Sequence, residues 1–476
     1  MLRKLLTPLV FAVQAPPPPA PVAPRMLGKL WIPLLFVGLL VAMYVAANSP
    51  QPGTIIFPLL FVFLLTGFPI ALSLAIATVL YLYYGTSIPL TSIPQKMFTN
   101  LDSFPLMAVP FFVLASNIFS VGGVAERLIR MSTAFLGHLN GGLAVSGVAA
   151  CALFAAVSGS SPATVIAIGS IMIPAMVKAG YPQRYAIGSM ATAGSLGIMI
   201  PPSIPLVLYG FVTNESVGKL FIAGILPGLF QALVMGLICY VVARRYSYPL
   251  QPKATWAERW VAVRHGAPSM LLPIIIIGGI YGGFFTPTEA AAVAVLVGII
   301  VGMFVHRELH PRDFPKIFLD TGKTTAMLMF IITMAQLFAF VLTNERLPQT
   351  LAAATLQGNL HAWQVLLIIN IILFFAGDFM DSAPIVLIMS PIFHPIARAV
   401  GIDPIHLGIV IVMNMEMGMI TPPVGLNLYV ASGISDTPLY TVMRYAAPWI
   451  IVMVSVLLVV TYVPEISLLL PRLLYR

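Results

Sequence analysis

Charged residues are scarce in this 476-residue chain, at 8% of all positions, whereas a water-soluble domain carries about 25%. Combined with 59% hydrophobic residues, this scarcity excludes a soluble globule and indicates a polytopic, all-α membrane protein. Cysteine is nearly absent, and Cys151 and Cys239 both lie in apolar stretches, where cysteine behaves as a small hydrophobic residue. We therefore expect neither a disulfide nor a cysteine metal site.

The net charge of +9 would suggest a nucleic-acid partner in a soluble protein. Here the basic residues gather between apolar runs, which is the pattern of loops that stay in the cytoplasm. Membrane orientation explains the surplus, so we expect a lipid bilayer and no nucleic acid as a partner.

The N-terminal region offers no chemistry. Residues 1–28 combine a basic start, a short apolar run and a proline-rich segment, which indicates a leader, a linker or an over-long reading frame that begins before Met26. Leu30 to Ala47 is long enough for one crossing. Ile55 to Tyr84 is broken at Gly67 to Pro69 and predicts either one tilted helix or two shorter ones.

Two similar stretches dominate the remainder, Ala155 to Tyr209 and Ala376 to Val430. Each is apolar but interrupted by small or helix-breaking residues, which a bilayer tolerates where they line a cavity. The glycines and prolines that interrupt the two stretches recur 221 positions apart (422 − 201 = 221). The prolines of the two tips, Pro162 and Pro384, are 222 positions apart. Matched interruptions in two halves indicate the binding site of a secondary transporter. The matched pairs are Pro174 and Pro395, Gly180 and Gly401, Gly197 and Gly418, Pro201 and Pro422, Pro202 and Pro423, and Pro227 and Pro448.

Short apolar arms flank the first interruption of each stretch. Leu143 to Val157 and Ala163 to Val177 are too short to cross comfortably, so they predict a re-entrant hairpin with its tip at Ser158 to Pro162. Trp363 to Phe379 and Pro384 to Ala397 predict a second hairpin. Five crossings lie between them, roughly 185–212, 219–243, 267–284, 288–305 and 325–343.

An odd number of crossings makes the hairpins enter from opposite faces, and the distribution of Lys and Arg agrees. We therefore predict an inverted repeat with two hairpins and two broken helices. The predicted regions are a leader (1–28), N-terminal scaffold helices (29–140), a first transport repeat (141–243), central scaffold helices (244–343), a second transport repeat (344–445) and a C-terminal helix (446–476).

Six ordered blocks of sequence carry a family resemblance. They are LDSFPLMAVPFFVLA, VSGSSPATVIAIGSIMIP, GIMIPPSIPLVLYG, VGKLFIAGILPGL, FTPTEAAAVAV and MGMITPPVGLNLYVASGIS. From about residue 54 to the C-terminus, the chain resembles the large (DctM-like) permease subunit of tripartite ATP-independent periplasmic (TRAP) transporters. The resemblance implies a sodium-coupled elevator in the bacterial inner membrane that imports organic acids such as C4-dicarboxylates or sialic acid.

The resemblance also implies two protein partners. A periplasmic solute-binding protein would deliver the organic acid, and a small four-helix membrane subunit would brace this chain. The residues outside the resemblance are too few to contain that subunit, so we expect it to be a separate chain.

The breaks supply oxygens for the coupling ion, Na⁺. Half-helices that end inside the protein leave unpaired carbonyls, and hydroxyls and carboxylates lie beside them. A capped loop that holds no ion is the alternative for the first tip. The candidate sodium ligands are Ser158, Gly159, Ser160, Gly194, Ser195, Pro201, Asp378, Asp381, Asn414, Thr421, Pro422 and Gly425.

Acidic residues near the breaks have competing interpretations. Asp378 is a candidate for binding sodium or for sensing protons, because an intramembrane carboxylate is costly. Asp381 is either a ligand or the cap of the helix that follows it. Glu289 is interpreted as a helix cap in preference to a substrate contact. His394 is interpreted as a packed side chain.

An organic-acid substrate needs positive potential, and no arginine lies at either tip. The N-terminal amides of the returning half-helices supply that potential through the helix dipole. The candidate substrate-binding residues are Ser161, Thr164, Ser203, Ser382 and Asn427.

Two other functions compete with this prediction. The nearer alternative is a secondary carboxylate or ion elevator that needs no binding protein. An intramembrane hydrolase would use Ser158 or Ser160 with His394, or Asp378 with Asp381. Val157 to Pro162 lacks the glycines that flank the serine of a nucleophile elbow, so we predict that the protein is not an enzyme.

Overall fold

A computed structural model describes residues 55–475, and its regular structure is helical. Nine helices in this range are long and apolar enough to cross a membrane, judged by length and composition. One of them is Ser161–Lys178, an 18-residue helix whose part Ala163 to Val177 was predicted to be too short to cross comfortably. The predicted leader and the predicted crossing at Leu30 to Ala47 lie outside the described residues.

The first described helices form the N-terminal part of the bundle. Gly67, at φ 82°, turns the chain between α1 and α2, so the long apolar run is two packed helices and not one tilted helix. The amphipathic helix α5 was not predicted, because its Glu126 and Arg127 suggested a loop. The helices are α1 (Ile56–Leu65), α2 (Ile70–Gly85), α3 (Ser92–Leu101), α4 (Phe104–Val121) and α5 (Val124–Leu136).

The next five helices correspond to the first predicted repeat. Gly159 ends α6 in the left-handed conformation at φ 61°, and Pro162 lies in the first turn of α7, where a missing amide costs nothing. The helix α8 tightens into a 3₁₀ turn at Gly194–Ile198 and stops before the cis Pro201–Pro202 bond. The helices are α6 (Gly142–Ser158), α7 (Ser161–Lys178), α8 (Gln183–Ala193), α9 (Ile204–Thr213) and α10 (Val217–Arg245).

The next four helices are the three of the predicted central region (244–343) and the short helix α14, which lies at the start of the predicted second repeat (344–445). The helices α11 and α13 begin at Trp256 and Phe314, about three turns before the predicted crossings. Hydropathy marks only the apolar part of a helix, and both helices begin with charged turns that contain Arg259 and Lys316. The helices are α11 (Trp256–Tyr281), α12 (Pro287–Val305), α13 (Phe314–Asn344) and α14 (Leu347–Gln357).

The final helices contain the second predicted repeat. The segment 446–476, predicted as one helix, belongs to two helices, because Pro464 separates α19 from α20. The helices are α15 (Ala362–Phe379), α16 (Ser382–Ala399), α17 (Pro404–Ile420), α18 (Leu426–Ser435), α19 (Leu439–Tyr462) and α20 (Glu465–Leu474).

The five helices α6–α10 and the five equivalent helices α15–α19 pack against each other. The helix α9 packs against α16, and the equivalent helix α18 packs against α7; similarly, α8 packs against α19 and α17 against α10. Glycine permits close approach at the last two crossings: a methyl group at Gly188 on α8 would meet the Tyr445 carbonyl of α19 at 2.3 Å, and one at Gly408 on α17 would meet the Leu220 side chain of α10 at 2.9 Å. Each interrupted helix is therefore held between both sets.

Candidate functional site

The first tip, between α6 and α7, contains hydroxyl groups that hydrogen-bond to each other and to a main-chain carbonyl of the same turn. Ser158 Oγ and Thr164 Oγ1 lie 2.9 Å apart, and Thr164 Oγ1 donates to the Ser160 carbonyl at 2.9 Å. Ser158 and Thr164 are almost completely buried. These candidate residues therefore share one hydrogen-bonded turn.

The first tip touches the break between α8 and α9 through backbone atoms. A methyl group at Gly197 would meet the Ser160 carbonyl oxygen at 2.4 Å, and one at Gly159 would meet the Pro202 carbonyl oxygen at 2.7 Å. Only glycine permits this approach, because real Cβ contacts are not that short.

The second tip meets the break between α17 and α18 in the same manner. A methyl group at Gly418 would meet the Gly377 carbonyl oxygen at 2.4 Å, and the Val424 amide donates to the Asp378 carbonyl at 3.2 Å. Gly197 and Gly418 are a matched pair (418 − 197 = 221). Each tip therefore contacts the broken helix of its own half at an equivalent glycine.

A side-chain pair joins the first tip to the second broken helix. Ser161 Oγ donates to Asn427 Oδ1 at 2.9 Å, and Asn427 Nδ2 lies 2.8 Å from the same hydroxyl. Asn427 Nδ2 also donates to the Ala191 carbonyl on α8 at 3.1 Å. Both side chains are fully buried. Two predicted substrate-binding residues from opposite halves are therefore in direct contact.

A second pair joins the two broken helices themselves. Ser195 Oγ donates to Glu416 Oε2 at 3.2 Å, and these residues occupy equivalent positions (416 − 195 = 221). Gln231 Nε2 on α10 donates to Ser195 Oγ at 3.1 Å.

Gly194 lies against Val165, where a methyl group would come within 2.1 Å of the valine side chain. Its lack of a side chain serves helix packing.

The two aspartates of the second tip differ in their surroundings. Asp381 Oδ1 accepts from the Ser382 amide at 2.7 Å and from Ser382 Oγ at 3.3 Å, so Asp381 caps α16. Asp378 is 7% exposed, and its Oδ1 has no hydrogen-bond partner among the described residues. Asp378 thus offers a buried oxygen that an ion would satisfy.

Other predicted residues have local partners. Ser203 Oγ donates to the Ile198 carbonyl at 2.5 Å and caps α9, and Thr421 Oγ1 donates to the Met417 carbonyl at 2.7 Å. Pro422 forms a cis bond with Pro423, as Pro201 does with Pro202. Gly425, at φ 49°, begins α18. These residues determine how the chain leaves one helix and enters the next at each break.

Asn414 belongs to a polar network on another side of α17. Its Nδ2 donates to Asn370 Oδ1 at 2.7 Å, and Asn370 Nδ2 donates to Thr461 Oγ1 at 3.1 Å. This chain of amides connects α15, α17 and α19. The main-chain carbonyl of Asn414 lies beside Gly377, just ahead of the second tip, and its buried Oδ1 has no hydrogen-bond partner among the described residues.

Two residues outside the breaks have structural partners. Glu289 Oε2 accepts from the Thr286 amide at 2.8 Å and completes the capping box of α12, in agreement with its interpretation as a cap. His394 Nε2 lies 3.2 Å from Glu215 Oε1, in the loop after α9.

Glu416, Gln231 and Asn370 were missing from the predicted site. The 221-residue offset pairs Ser195 with Glu416, so symmetry in the sequence contained a signal for that contact. Gln231 and Asn370 lie within apolar helices with no local motif that marks them.

A multi-span helical bundle with interrupted helices at its centre is a transporter architecture. Residues 57–466 match the family described as "Tripartite ATP-independent periplasmic transporter, DctM component", and the chain belongs to this family of transporter permeases. Membership makes it a bacterial-type membrane transport subunit and not an enzyme.

Curated relatives match the chain over nearly their whole lengths. The C4-dicarboxylate TRAP transporter large permease protein DctM of Rhodobacter capsulatus is 47% identical over 88% of this chain and 99% of its own. The sialic acid TRAP transporter large permease protein SiaM of Vibrio cholerae is 36% identical over 86% of this chain and 96% of its own. Among solved structures, the Alcanivorax borkumensis YdaH transporter matches with a TM-score of 0.56 at 15% identity, over 91% of this chain and 97% of its own, which shows a similar fold.

Proposed function

We propose that this chain is the membrane permease of a sodium-driven importer of C4-dicarboxylates in the bacterial inner membrane. The observation that carries the proposal is the Ser161–Asn427 contact, which joins a tip to the opposite broken helix within a TRAP-family permease. Three relatives named as C4-dicarboxylate permeases are 44% to 49% identical to the chain, whereas those named for ectoine or sialic acid are 36% to 37% identical.

Substrate recognition relies on dipoles and hydroxyl groups. The helices α7 and α16 begin at the tips, and their N-terminal amides carry partial positive charge that favours a carboxylate. The tip sequences 158–164 and 380–385 contain no basic residue. The hydroxyl and amide groups of Ser161, Thr164, Ser203, Ser382 and Asn427 orient the substrate once their present hydrogen bonds open.

Sodium is carried as cargo beside the substrate. The carbonyl groups and hydroxyls of the first tip, the carbonyls at Pro201 and Pro422, and Thr421 provide the neutral oxygens that a hard cation prefers. Asp378 Oδ1 supports the proposal because it is buried with no hydrogen-bond partner among residues 55–475. Asp381 contributes less, since its carboxylate already caps α16.

The transport cycle follows an elevator mechanism. In this proposal the tips are re-entrant and enter from opposite faces, and residues 141–243 and 344–445 move together against the regions 29–140 and 244–343. The interlocking of α9 with α16 and of α18 with α7 supports movement as one unit. The proposed partners are a periplasmic solute-binding protein and a separate four-helix membrane subunit; the words tripartite and periplasmic in the family description support two further components.

Reconstituted transport tests this proposal. The purified chain, its small subunit and its binding protein are placed in proteoliposomes, and uptake of radiolabelled succinate is measured with an inward gradient of Na⁺ or, as the control, K⁺. Uptake that requires both Na⁺ and the binding protein is expected. Uptake without the binding protein would instead establish the simpler secondary transporter, and uptake under the K⁺ gradient would overturn sodium coupling.

A further inference from the structure

Glu416 lies at the contact between the two broken helices, and none of its surface is exposed. Its Oε2 accepts from Ser195 Oγ at 3.2 Å, and the Gln231 side chain approaches the same carboxylate. Both neighbours are neutral. A fully buried carboxylate is costly unless an opposite charge or several hydrogen bonds compensate it.

Residues 55–475 place no opposite charge in an ion pair with Glu416. The ion pairs of the described residues involve other carboxylates, namely Glu126, Glu215, Glu308 and Asp313. On α10, Lys219 and Arg244 are each at least 12 residues from Gln231, about 18 Å along the helix. The other basic or acidic residues of the helices packed against α17 lie nearer helix ends: Arg245, Asp378, His394, Arg398, Arg444, Glu465, Arg472 and, on α17 itself, His406.

Two buried oxygens at this contact have no hydrogen-bond partner among residues 55–475. They are Glu416 Oε1 and Gln231 Oε1. Neither atom is a donor, so they cannot satisfy each other. One cation coordinated by both oxygens would satisfy each of them and neutralise the carboxylate.

We infer that Glu416, Gln231 and Ser195 form a sodium site between the two broken helices, apart from the oxygens at the tips. Its ligands come from both halves, since Ser195 and Gln231 precede the central helices and Glu416 follows them. An ion there compensates the buried charge and ties the two interrupted helices together. The choice of Na⁺ as the cation rests on the proposed function.

Counting bound ions tests this inference without measuring transport. Binding of ²²Na⁺ to the purified protein is titrated to saturation for the native protein, for Glu416→Gln and for Glu289→Gln, a control that alters an exposed capping carboxylate. We expect Glu416→Gln to bind one ion fewer per chain and Glu289→Gln to bind the native number. An unchanged count in folded Glu416→Gln would overturn the site.

A second variant covers the case in which Glu416→Gln does not fold. Gln231→Leu removes the amide oxygen and keeps the carboxylate, so one class of bound Na⁺ should weaken about tenfold, as expected for one lost polar contact. Identical binding curves would contradict the inference. Infrared spectra add an independent check: a protonated-carboxyl band that disappears in Glu416→Gln, survives in Asp378→Asn and is insensitive to Na⁺ would show that a proton, and not sodium, neutralises Glu416.

The number of Na⁺ ions bound per chain also distinguishes a failure of this inference from a failure of the proposed function. If sodium-driven succinate uptake is present but the count does not fall in Glu416→Gln, only this site is wrong. If the count falls as expected but no uptake is observed, the proposed transport function fails while the site stands.

Discussion

Ser161 and Asn427 are 266 residues apart in sequence, yet their side chains are hydrogen-bonded at 2.8 and 2.9 Å. The contact has no counterpart in the other half, because the position equivalent to Asn427 is Leu206 (427 − 221 = 206). Both polar groups are buried, so opening this contact needs a replacement partner. A substrate carboxylate would supply one.

Replacing Asn427 by alanine should therefore impair substrate use. The loss leaves Ser161 Oγ without its partner and removes one ligand, which costs about 1–3 kcal/mol and lowers kcat/KM for succinate by about tenfold or more. Initial uptake rates in proteoliposomes measure the effect. Ser435→Ala, on the same helix, removes a hydroxyl that bonds only the Ala431 carbonyl among described residues and should leave the rates unchanged. Native kinetics for Asn427→Ala would show that the pair is structural.

The close contact at Gly418 makes a second prediction. A methyl group there would come within 2.4 Å of the Gly377 carbonyl oxygen, and because that oxygen is a main-chain atom, the backbone of the tip must move. We expect Gly418→Ala to lower stability by about 1–3 kcal/mol and to reduce uptake strongly. Gly433→Ala is the matched control, since no atom of residues 55–475 lies within 4 Å of the added methyl group. Equal melting temperatures for the two variants in detergent would contradict this account.

The sequence predicted those features of the fold that depend on local chemistry. Gly159 and Pro162 mark the end of one helix and the start of the next, because a left-handed turn and a missing amide are properties of single residues. The short helices α5 and α14 were not predicted: the charged residues of α5 resemble those of a loop, and α14 is an 11-residue segment without charge that is too short to cross a membrane. Whether an amphipathic segment folds depends on the surface it packs against, which the sequence does not display.

In the candidate site, too, features marked by single residues were predictable and contacts between distant helices were not. The residues beside the breaks were identified, since breakers in an apolar stretch are conspicuous. Their partners were not: Asn414 Nδ2, on the approach to the second break, donates to Asn370, and Ser195 binds Glu416. Such pairings depend on how helices far apart in sequence cross, and no local pattern encodes that geometry.

Thr421 permits a test of sodium coupling at the second break. Its hydroxyl bonds the Met417 carbonyl at 2.7 Å and lies where α17 ends. If it is a ligand, Thr421→Ala should raise the Na⁺ concentration for half-maximal succinate uptake about five- to tenfold, and Thr421→Ser should restore it. Ser455→Ala, which removes an exposed hydroxyl on α19, serves as the control. Unchanged sodium activation of Thr421→Ala would remove this residue from the ligands.

His306, just beyond the end of α12, gives a pH-dependent prediction that is independent of transport. Burial lowers the pKa of its imidazole to about 4, and Arg127 lowers it in the same direction. His306 Nε2 lies 3.1 Å from Ser269 Oγ. In the unfolded chain a histidine titrates near 6.5, so between about pH 6.5 and about pH 4 the unfolded chain binds a proton that the folded protein does not. Stability from this group is therefore complete above about pH 6.5 and is lost as the pH falls towards 4.

His306→Gln should remove that loss, because glutamine keeps a polar group near Ser269 but does not titrate. Melting temperatures of the native protein and the variant, measured in detergent from about pH 7 down to about pH 4.5, should diverge, with the native protein losing more stability. Carboxylates that titrate in the same range are common to both proteins and cancel in the difference. Parallel curves would mean that His306 accepts its proton as readily in the folded protein as in the unfolded chain.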